Sequence, residues 1–172
     1  MQTIVYCLKI ASGNHPFAKK DILSVLQLFM RVYVDANIYI AYLLGENGEI
    51  NADKFFKKGI ECKFTIIASK TTFAEISLIC GKRANILLQK HIDDFKNAGK
   101  LEVIEETNEQ TQEALRLNEN SKKKYGLNDF IHALLAKKHA DVFVTNDFKF
   151  LATASKIVKT TQLESFLSEL EA

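Results

Sequence analysis

Four acidic residues stand where carboxylates could work together. Asp35 and Asp147 each follow a short apolar run, whereas Glu75 and Asp129 stand near the predicted starts of two helices. Carboxylates about 4 Å apart repel by about 4 kcal/mol at an effective dielectric constant of about 20, so such a cluster must take up protons or bind a cation. Their hard oxygens favour Mg²⁺ or Mn²⁺ over Zn²⁺, and such sites hydrolyse phosphodiesters with activated water.

Each acid taken alone also has an ordinary structural explanation. Asp35 and Asp147 are both suited to capping the helix that follows a strand. Acids in a first helical turn, as predicted for Glu75 and Asp129, are stabilised by the helix dipole by about 0.3–1 kcal/mol. Residues 72–75 also have the Ser/Thr-x-x-Glu form of a capping box. It is therefore the combination of four acids that indicates a shared site.

Short strands alternating with helices are predicted to position these acids. The strands are apolar on both faces, which is typical of a buried parallel sheet. The predicted strands cover residues 32–36, 64–68, 101–104, 142–145 and 156–159. The predicted helices cover residues 38–44, 52–62, 72–82, 84–98, 108–118, 128–139 and 161–170, with Asn128 as an N-cap. This pattern predicts an α/β domain, in which ligands bind beyond the carboxyl ends of the strands.

Four segments of the chain resemble the acidic motifs of PIN-domain ribonucleases, and among these the VapC-like toxin nucleases. The segments cover residues 34–38, 72–76, 126–133 and 144–150, in the order and approximate spacing of the family. The resemblance spans about residues 31–160. It implies a three-layer α/β/α sandwich with a short central parallel sheet, and cleavage of RNA that depends on Mg²⁺ or Mn²⁺.

The resemblance also implies roles for individual residues. The acids that it assigns to the catalytic and metal-binding pocket are Asp35, Glu75, Asp129 and Asp147. Thr145 matches the small hydroxyl residue before the last acid, and Asn37 matches a frequent polar residue after the first, so both are expected to support the pocket. No acid of the family pattern is missing. The departure from the pattern is a lead-in of about 30 residues.

Cations are needed near such a pocket to hold RNA phosphates. Lys122, Lys123 and Lys124 precede Tyr125 and the Asp129 motif, and Lys149 follows Asp147. They are candidate RNA-binding residues, and a solvated helix end is the simpler alternative for the lysine run. For His132, on the Asp129 helix, an ordinary packed or exposed histidine is the simpler expectation.

Composition bounds the remaining choices. The 172 residues carry a net charge of +2, which gives no overall argument for nucleic acid. Three separated cysteines without a Cys-x-x-Cys pair favour a reducing compartment, and no apolar run reaches the roughly 20 residues that a membrane helix needs, so we expect a cytoplasmic protein without a membrane segment. Residues 1–30 are interpreted as an N-terminal extension, either translated upstream of a true start at Met30 or a helix packed on the domain at 31–172.

Several roles remain open at this point. The nuclease could be a toxin held inactive by an antitoxin protein, or a housekeeping RNA-processing enzyme. A non-catalytic RNA-binding or interaction module on the same fold is a third alternative, and the apolar segment 22–29 could contribute to a homodimer. A haloacid-dehalogenase-like phosphatase is disfavoured, because it requires Asp-x-Asp where this chain has Asp35-Ala-Asn37.

Overall fold

A five-stranded parallel sheet lies at the centre of the molecule. The computed structural model describes residues 30–45, 49–61 and 63–171. The strands are β1 (Arg31–Val34), β2 (Thr65–Ser69), β3 (Leu101–Ile104), β4 (Val142–Val144) and β5 (Thr160–Thr161). Their order is β3-β2-β1-β4-β5, and every neighbouring pair is parallel. The predicted α/β class with a parallel sheet is therefore confirmed.

Helices connect the strands and cover both faces of the sheet. They are α1 (Ala36–Leu44), α2 (Glu49–Ile60), α3 (Lys70–Ile79), α4 (Lys82–Asn97), α5 (Asn108–Asn120), α6 (Leu127–His139), α7 (Phe148–Ala154) and α8 (Leu163–Glu171). The predicted strand over residues 156–159 is wrong, because the backbone there turns back on the end of α7 and the last strand forms at Thr160–Thr161. No helix within the described ranges combines the length and the apolar character needed to cross a bilayer.

The pleat of β1 divides the apolar interior into two cores. Val32 and Val34 point to the face covered by α1, α2, α4 and α8, whereas Tyr33 points to the face covered by α5, α6 and α7. Successive strand residues point to opposite faces, so a strand buried on both sides must be apolar throughout. The result is the three-layer arrangement expected from the sequence.

The strand order reverses direction at β1, and this fixes where a ligand can bind. β2 and β3 lie on one side of β1, whereas β4 and β5 lie on the other. The carboxyl ends of β1 and β4 are adjacent, and the backbone N–H of Asp35 donates to the carbonyl of Val144 at 3.1 Å. Such a reversal opens a crevice at the carboxyl edge of the sheet. The predicted N-terminal extension, apart from Met30, lies outside the described residues.

Candidate metal centre

Asp35 ends β1 and points its carboxylate towards β4. It occupies the N-cap position of α1, yet its side chain makes no capping hydrogen bond, so the capping explanation is wrong for this residue. Its Oδ2 accepts hydrogen bonds from Thr145 Oγ1 at 2.5 Å and Asn37 Nδ2 at 2.9 Å. Burial raises the pKa of Asp35, against the opposing effects of His132 and of the Thr145 hydrogen bond.

Thr145 and Asn37 join the ends of β1 and β4 around this carboxylate. Thr145 is fully buried, and its Oγ1 accepts from Asn37 Nδ2 at 3.1 Å and from the backbone N–H of Asp147 at 3.0 Å. Asn37 Oδ1 in turn accepts from the backbone N–H of Asn146 at 3.2 Å. Both residues thus lie beside the first acid, where the motif resemblance expects them.

Glu75 lies in the second turn of α3 and takes no part in capping. The capping box is formed one turn earlier, where Ser69 Oγ accepts from the backbone N–H of Thr72 at 3.0 Å and Thr72 Oγ1 accepts from the backbone N–H of Ser69 at 3.3 Å. The predicted capping box over residues 72–75 is therefore wrong. Because Ser69 starts the helix earlier, Glu75 is carried past the helix start to face α6.

Two side chains of α6 hold the Glu75 carboxylate. Asn128 Nδ2 donates to Oε1 at 2.6 Å, and His132 Nε2 donates to Oε2 at 2.9 Å. The N-cap of α6 is Gly126, so the predicted capping role of Asn128 is also wrong. Burial acts to raise the pKa of Glu75, but the hydrogen bonds and the charge of His132 outweigh it and leave this pKa lowered.

Asp129 lies in the first turn of α6, as predicted, and its carboxylate helps to cap that helix. Its Oδ2 accepts from the backbone N–H of Gly126 at 2.8 Å. Burial raises the pKa of Asp129, the Gly126 hydrogen bond opposes this, and the charges of Asp35 and Asp147 raise the pKa further. Asp129 is therefore within electrostatic reach of Asp35 and Asp147, whereas the ligand atoms that lie within 4.8 Å of one another belong to Asp35, Glu75 and His132.

Asp147 combines a cap with a position at the pocket. Its Oδ1 accepts from the backbone N–H groups of Lys149 at 2.8 Å and Phe150 at 3.0 Å, so the predicted cap of the following helix is confirmed. Its Oδ2 has no hydrogen-bond partner among the described residues, which leaves one oxygen for another ligand.

His132 is the residue that the sequence reasoning undervalued. It is 2 % exposed, and its ring, Asp35 and Glu75 each offer a ligand atom within 4.8 Å of the others. Burial lowers the pKa of His132, but the Glu75 hydrogen bond and the nearby acids outweigh this and raise it. The spacing along the helix could have indicated its position, because residues three and four apart on a helix share a face. His132 stands three residues after Asp129 and four after Asn128.

The donor set fits a hard divalent cation. Partly buried carboxylates dominate it. Burial is the main cause that raises the pKa values of Asp35 and Asp129, and repulsion from neighbouring acids raises both further. A divalent cation would relieve this repulsion, and oxygen ligands suit Mg²⁺ and Mn²⁺.

The candidate RNA-binding lysines lie at the surface beyond α5 and at the start of α7. Lys122 and Lys123 are exposed in the turn after α5, with φ of 55° and 56°, and Lys149 is exposed in α7. Lys124 Nζ lies 5.2 Å from the ring centroid of Tyr125. The structure thus brings Asp35 and Glu75 together with His132, whereas these lysines are exposed at the surface.

Comparisons with known proteins agree with this architecture. A family model described as PIN domain matches residues 32–156. No match was found among curated proteins. Among solved structures, PAE2754 from Pyrobaculum aerophilum is 22 % identical with a TM-score of 0.53, covering 83 % of this chain and 97 % of that one.

Two further solved structures resemble the chain. VapBC2 from Rickettsia felis, bound to a DNA fragment from their promoter, is 20 % identical with a TM-score of 0.53, covering 77 % of this chain and 98 % of that one. FitAB bound to an IR36 DNA fragment is 17 % identical with a TM-score of 0.55, covering 77 % and 94 %. At these identities the likeness shows the fold.

Proposed function

Because this chain belongs to the PIN-domain family, we propose that it is a metal-dependent endoribonuclease that hydrolyses RNA phosphodiester bonds. The observation that carries the proposal is the meeting of two acids from separate motifs, Asp35 and Glu75, with His132 beside them. Ligand atoms of Asp35 and Glu75 lie within 4.8 Å of each other, and Asp129 is close enough to Asp35 and Asp147 for their charges to raise its pKa.

The proposed ligands and catalytic residues are Asp35, Glu75, Asp129 and Asp147, with Mg²⁺ or Mn²⁺ as the ion. When bound, the ion supplies a nucleophilic hydroxide at neutral pH and neutralises charge that develops on the phosphoryl oxygens. Thr145 and Asn37 fix the Asp35 carboxylate through its Oδ2. Because the cap of α7 uses only Oδ1 of Asp147, its Oδ2 is the atom that we assign to the pocket.

We assign RNA binding to the surface beside Asp147. A cavity of about 320 Å³ is lined by Tyr125, Phe130, Lys124 and Lys156, together with two hydroxyl and two aliphatic side chains, and none of the four acids lines it. Tyr125 packs on Phe150 at 5.2 Å between ring centroids, and the backbone N–H of Phe150 donates to Asp147 Oδ1 at 3.0 Å, which links the cavity wall to this acid. Apolar rings between lysines suit a nucleobase and its phosphate, with Lys122, Lys123 and Lys149 extending the cationic surface.

Among biological roles, we favour a toxin that an antitoxin protein holds inactive, with housekeeping RNA processing as the alternative. The resemblance to VapC-like motifs supports this role, as does exposed apolar surface where α3 meets α4. Leu78 is 86 % exposed, Ile79 61 % and Ile86 64 %, and we propose that these side chains, which lie close together in the chain, form part of an interface with a partner protein. Size-exclusion chromatography with and without the product of an adjacent small reading frame separates an antitoxin complex from a homodimer.

The activity is tested by incubating mixed RNA with the wild-type protein and Mn²⁺, beside Asp35→Asn, Asp129→Asn and the surface control Asp53→Asn. We expect cleavage by the wild type and by Asp53→Asn, abolished by EDTA and in both pocket variants. Equal cleavage by all four proteins would refute the proposal. RNA binding without cleavage, whether or not metal is present, would instead indicate a non-catalytic RNA-binding module.

A further inference from the structure

A chain of hydrogen bonds runs from the start of α3 to the Glu75 carboxylate. Ser69 Oγ lies 3.0 Å from Thr72 Oγ1, and Thr72 Oγ1 lies 3.4 Å from the Tyr33 hydroxyl. The Tyr33 hydroxyl lies 2.9 Å from His132 Nδ1, and His132 Nε2 lies 2.9 Å from Glu75 Oε2. The chain therefore links β1, α3 and α6 behind the acidic pocket.

Because these side chains are buried, each of them depends on its hydrogen-bond partner within the chain of hydrogen bonds. Ser69, Thr72 and Tyr33 are fully buried and His132 is 2 % exposed, so water cannot replace a missing partner at low cost. A carboxylate only accepts hydrogen bonds, so Nε2 of His132 must carry a proton towards Glu75 in either charge state of the ring. In the neutral ring, Nδ1 accepts a hydrogen bond from the Tyr33 hydroxyl. In the charged ring, Nδ1 donates to that hydroxyl, so the hydrogen bond between Tyr33 and His132 persists in both charge states.

The two oxygens of Glu75 are held from one helix. His132 and Asn128 stand four residues apart on α6 and donate to Oε2 and Oε1, respectively. Each carboxylate oxygen has a second lone-pair direction that these two bonds do not use, and a ligand atom of Asp35 lies within 4.8 Å of the Glu75 carboxylate. Because Nε2 is committed to Glu75, His132 acts behind the ligand and is not itself a ligand.

We propose that His132 is a positioning residue that, together with Tyr33, orients the Glu75 carboxylate for metal binding. This inference rests on the proposed function, since it requires a divalent ion at the acidic pocket. Outer groups that orient a metal ligand typically change metal affinity by about 10- to 100-fold when they are removed.

The test is a calorimetric Mn²⁺ titration of the full chain without RNA. We expect His132→Leu to weaken Mn²⁺ binding by about 10- to 100-fold. His132→Gln restores most of the affinity, because its amide N–H can reach the place of Nε2. His91→Leu removes another buried histidine, packed among aromatic rings away from the acids, and is expected to leave Mn²⁺ affinity unchanged.

A second variant keeps the test decisive if His132→Leu does not fold. Tyr33→Phe removes a single oxygen and breaks the chain one step earlier, and we expect it to weaken Mn²⁺ binding in the same direction. If a folded His132→Leu or Tyr33→Phe variant binds Mn²⁺ with wild-type affinity, this inference is overturned while the proposed function stands. The same holds if the electron paramagnetic resonance spectrum of bound Mn²⁺ shows ¹⁴N coupling from a directly bound histidine. Absence of Mn²⁺ binding by the wild type would overturn the proposed function and this inference with it.

Discussion

Protonation of His91 is predicted to destabilise the fold in mildly acidic solution. His91 is 9 % exposed and packs on the rings of Phe95 at 4.4 Å, Phe56 at 4.5 Å and Tyr42 at 5.2 Å between centroids. Its Nε2 has no hydrogen-bond partner among the described residues. Burial lowers the pKa of His91 to about 4, and the charge of Asp94 opposes this only in part.

The sign and the size of the effect follow from proton linkage. The pKa of His91 is lower in the folded state than its ordinary value of 6.5, so the unfolded chain binds more protons between these values. The contribution of neutral His91 is therefore complete above pH 6.5 and is lost as the pH falls towards 4. The difference between these two pKa values corresponds to about 3 kcal/mol, most of which is lost by about pH 4.5.

The assay is urea unfolding of the wild type and His91→Leu at about pH 7 and about pH 4.5, since other groups titrate equally in both proteins. We expect the wild type to lose about 2–3 kcal/mol more unfolding free energy than His91→Leu over this interval. Equal losses of unfolding free energy in the two proteins would show that burial of His91 does not resist its protonation, and would refute this prediction.

Three further substitutions give separate predictions. Thr145→Val removes the hydroxyl that binds Asp35 and the Asp147 backbone, so we expect urea unfolding to show an unfolding free energy lower by about 1.5–3 kcal/mol. Thr145→Ser should stay near wild type, and an unchanged urea midpoint for Thr145→Val would contradict this prediction. Tyr39→Phe removes a buried hydroxyl without a partner among the described residues, so thermal unfolding is expected to show a gain of about 1 kcal/mol, and a loss would be contrary. Tyr125→Ala is expected to raise KM for RNA by about 5- to 150-fold with a smaller change in kcat, since stacking contributes about 1–3 kcal/mol, and an unaltered KM would remove the base-binding assignment.

Much of the fold could be predicted because strong local patterns coincide with the tertiary structure. Strands of a sheet that is covered on both faces must be apolar throughout, and this pattern identified β1, β2 and β4 in the sequence. The polar residue that follows each of these strands lies at the carboxyl edge of the sheet, where ligands bind. This is why Asp35 and Asp147 could be assigned to one pocket. Strand β5 could not be located, because only two residues pair and the apolar run before it folds into a turn instead.

The details of the site depended on contacts between distant parts of the chain. Ser69 and Thr72 compete with any later residue for the start of α3, so the capping role assigned to Glu75 was wrong. Asn128 and His132 on α6 bind Glu75 on α3, and these hydrogen bonds depend on how the tertiary structure places the two helices. A pattern within one helix gives the face of a side chain, but it does not identify the group on the neighbouring helix that the side chain meets.

Crystals grown with Mn²⁺ and examined by anomalous scattering would locate the bound ion. We predict an anomalous peak among the carboxylates of Asp35, Glu75, Asp129 and Asp147, at Mn²⁺ concentrations that support RNA cleavage. A peak bound by other residues, or no peak under cleavage conditions, would contradict the shared metal centre.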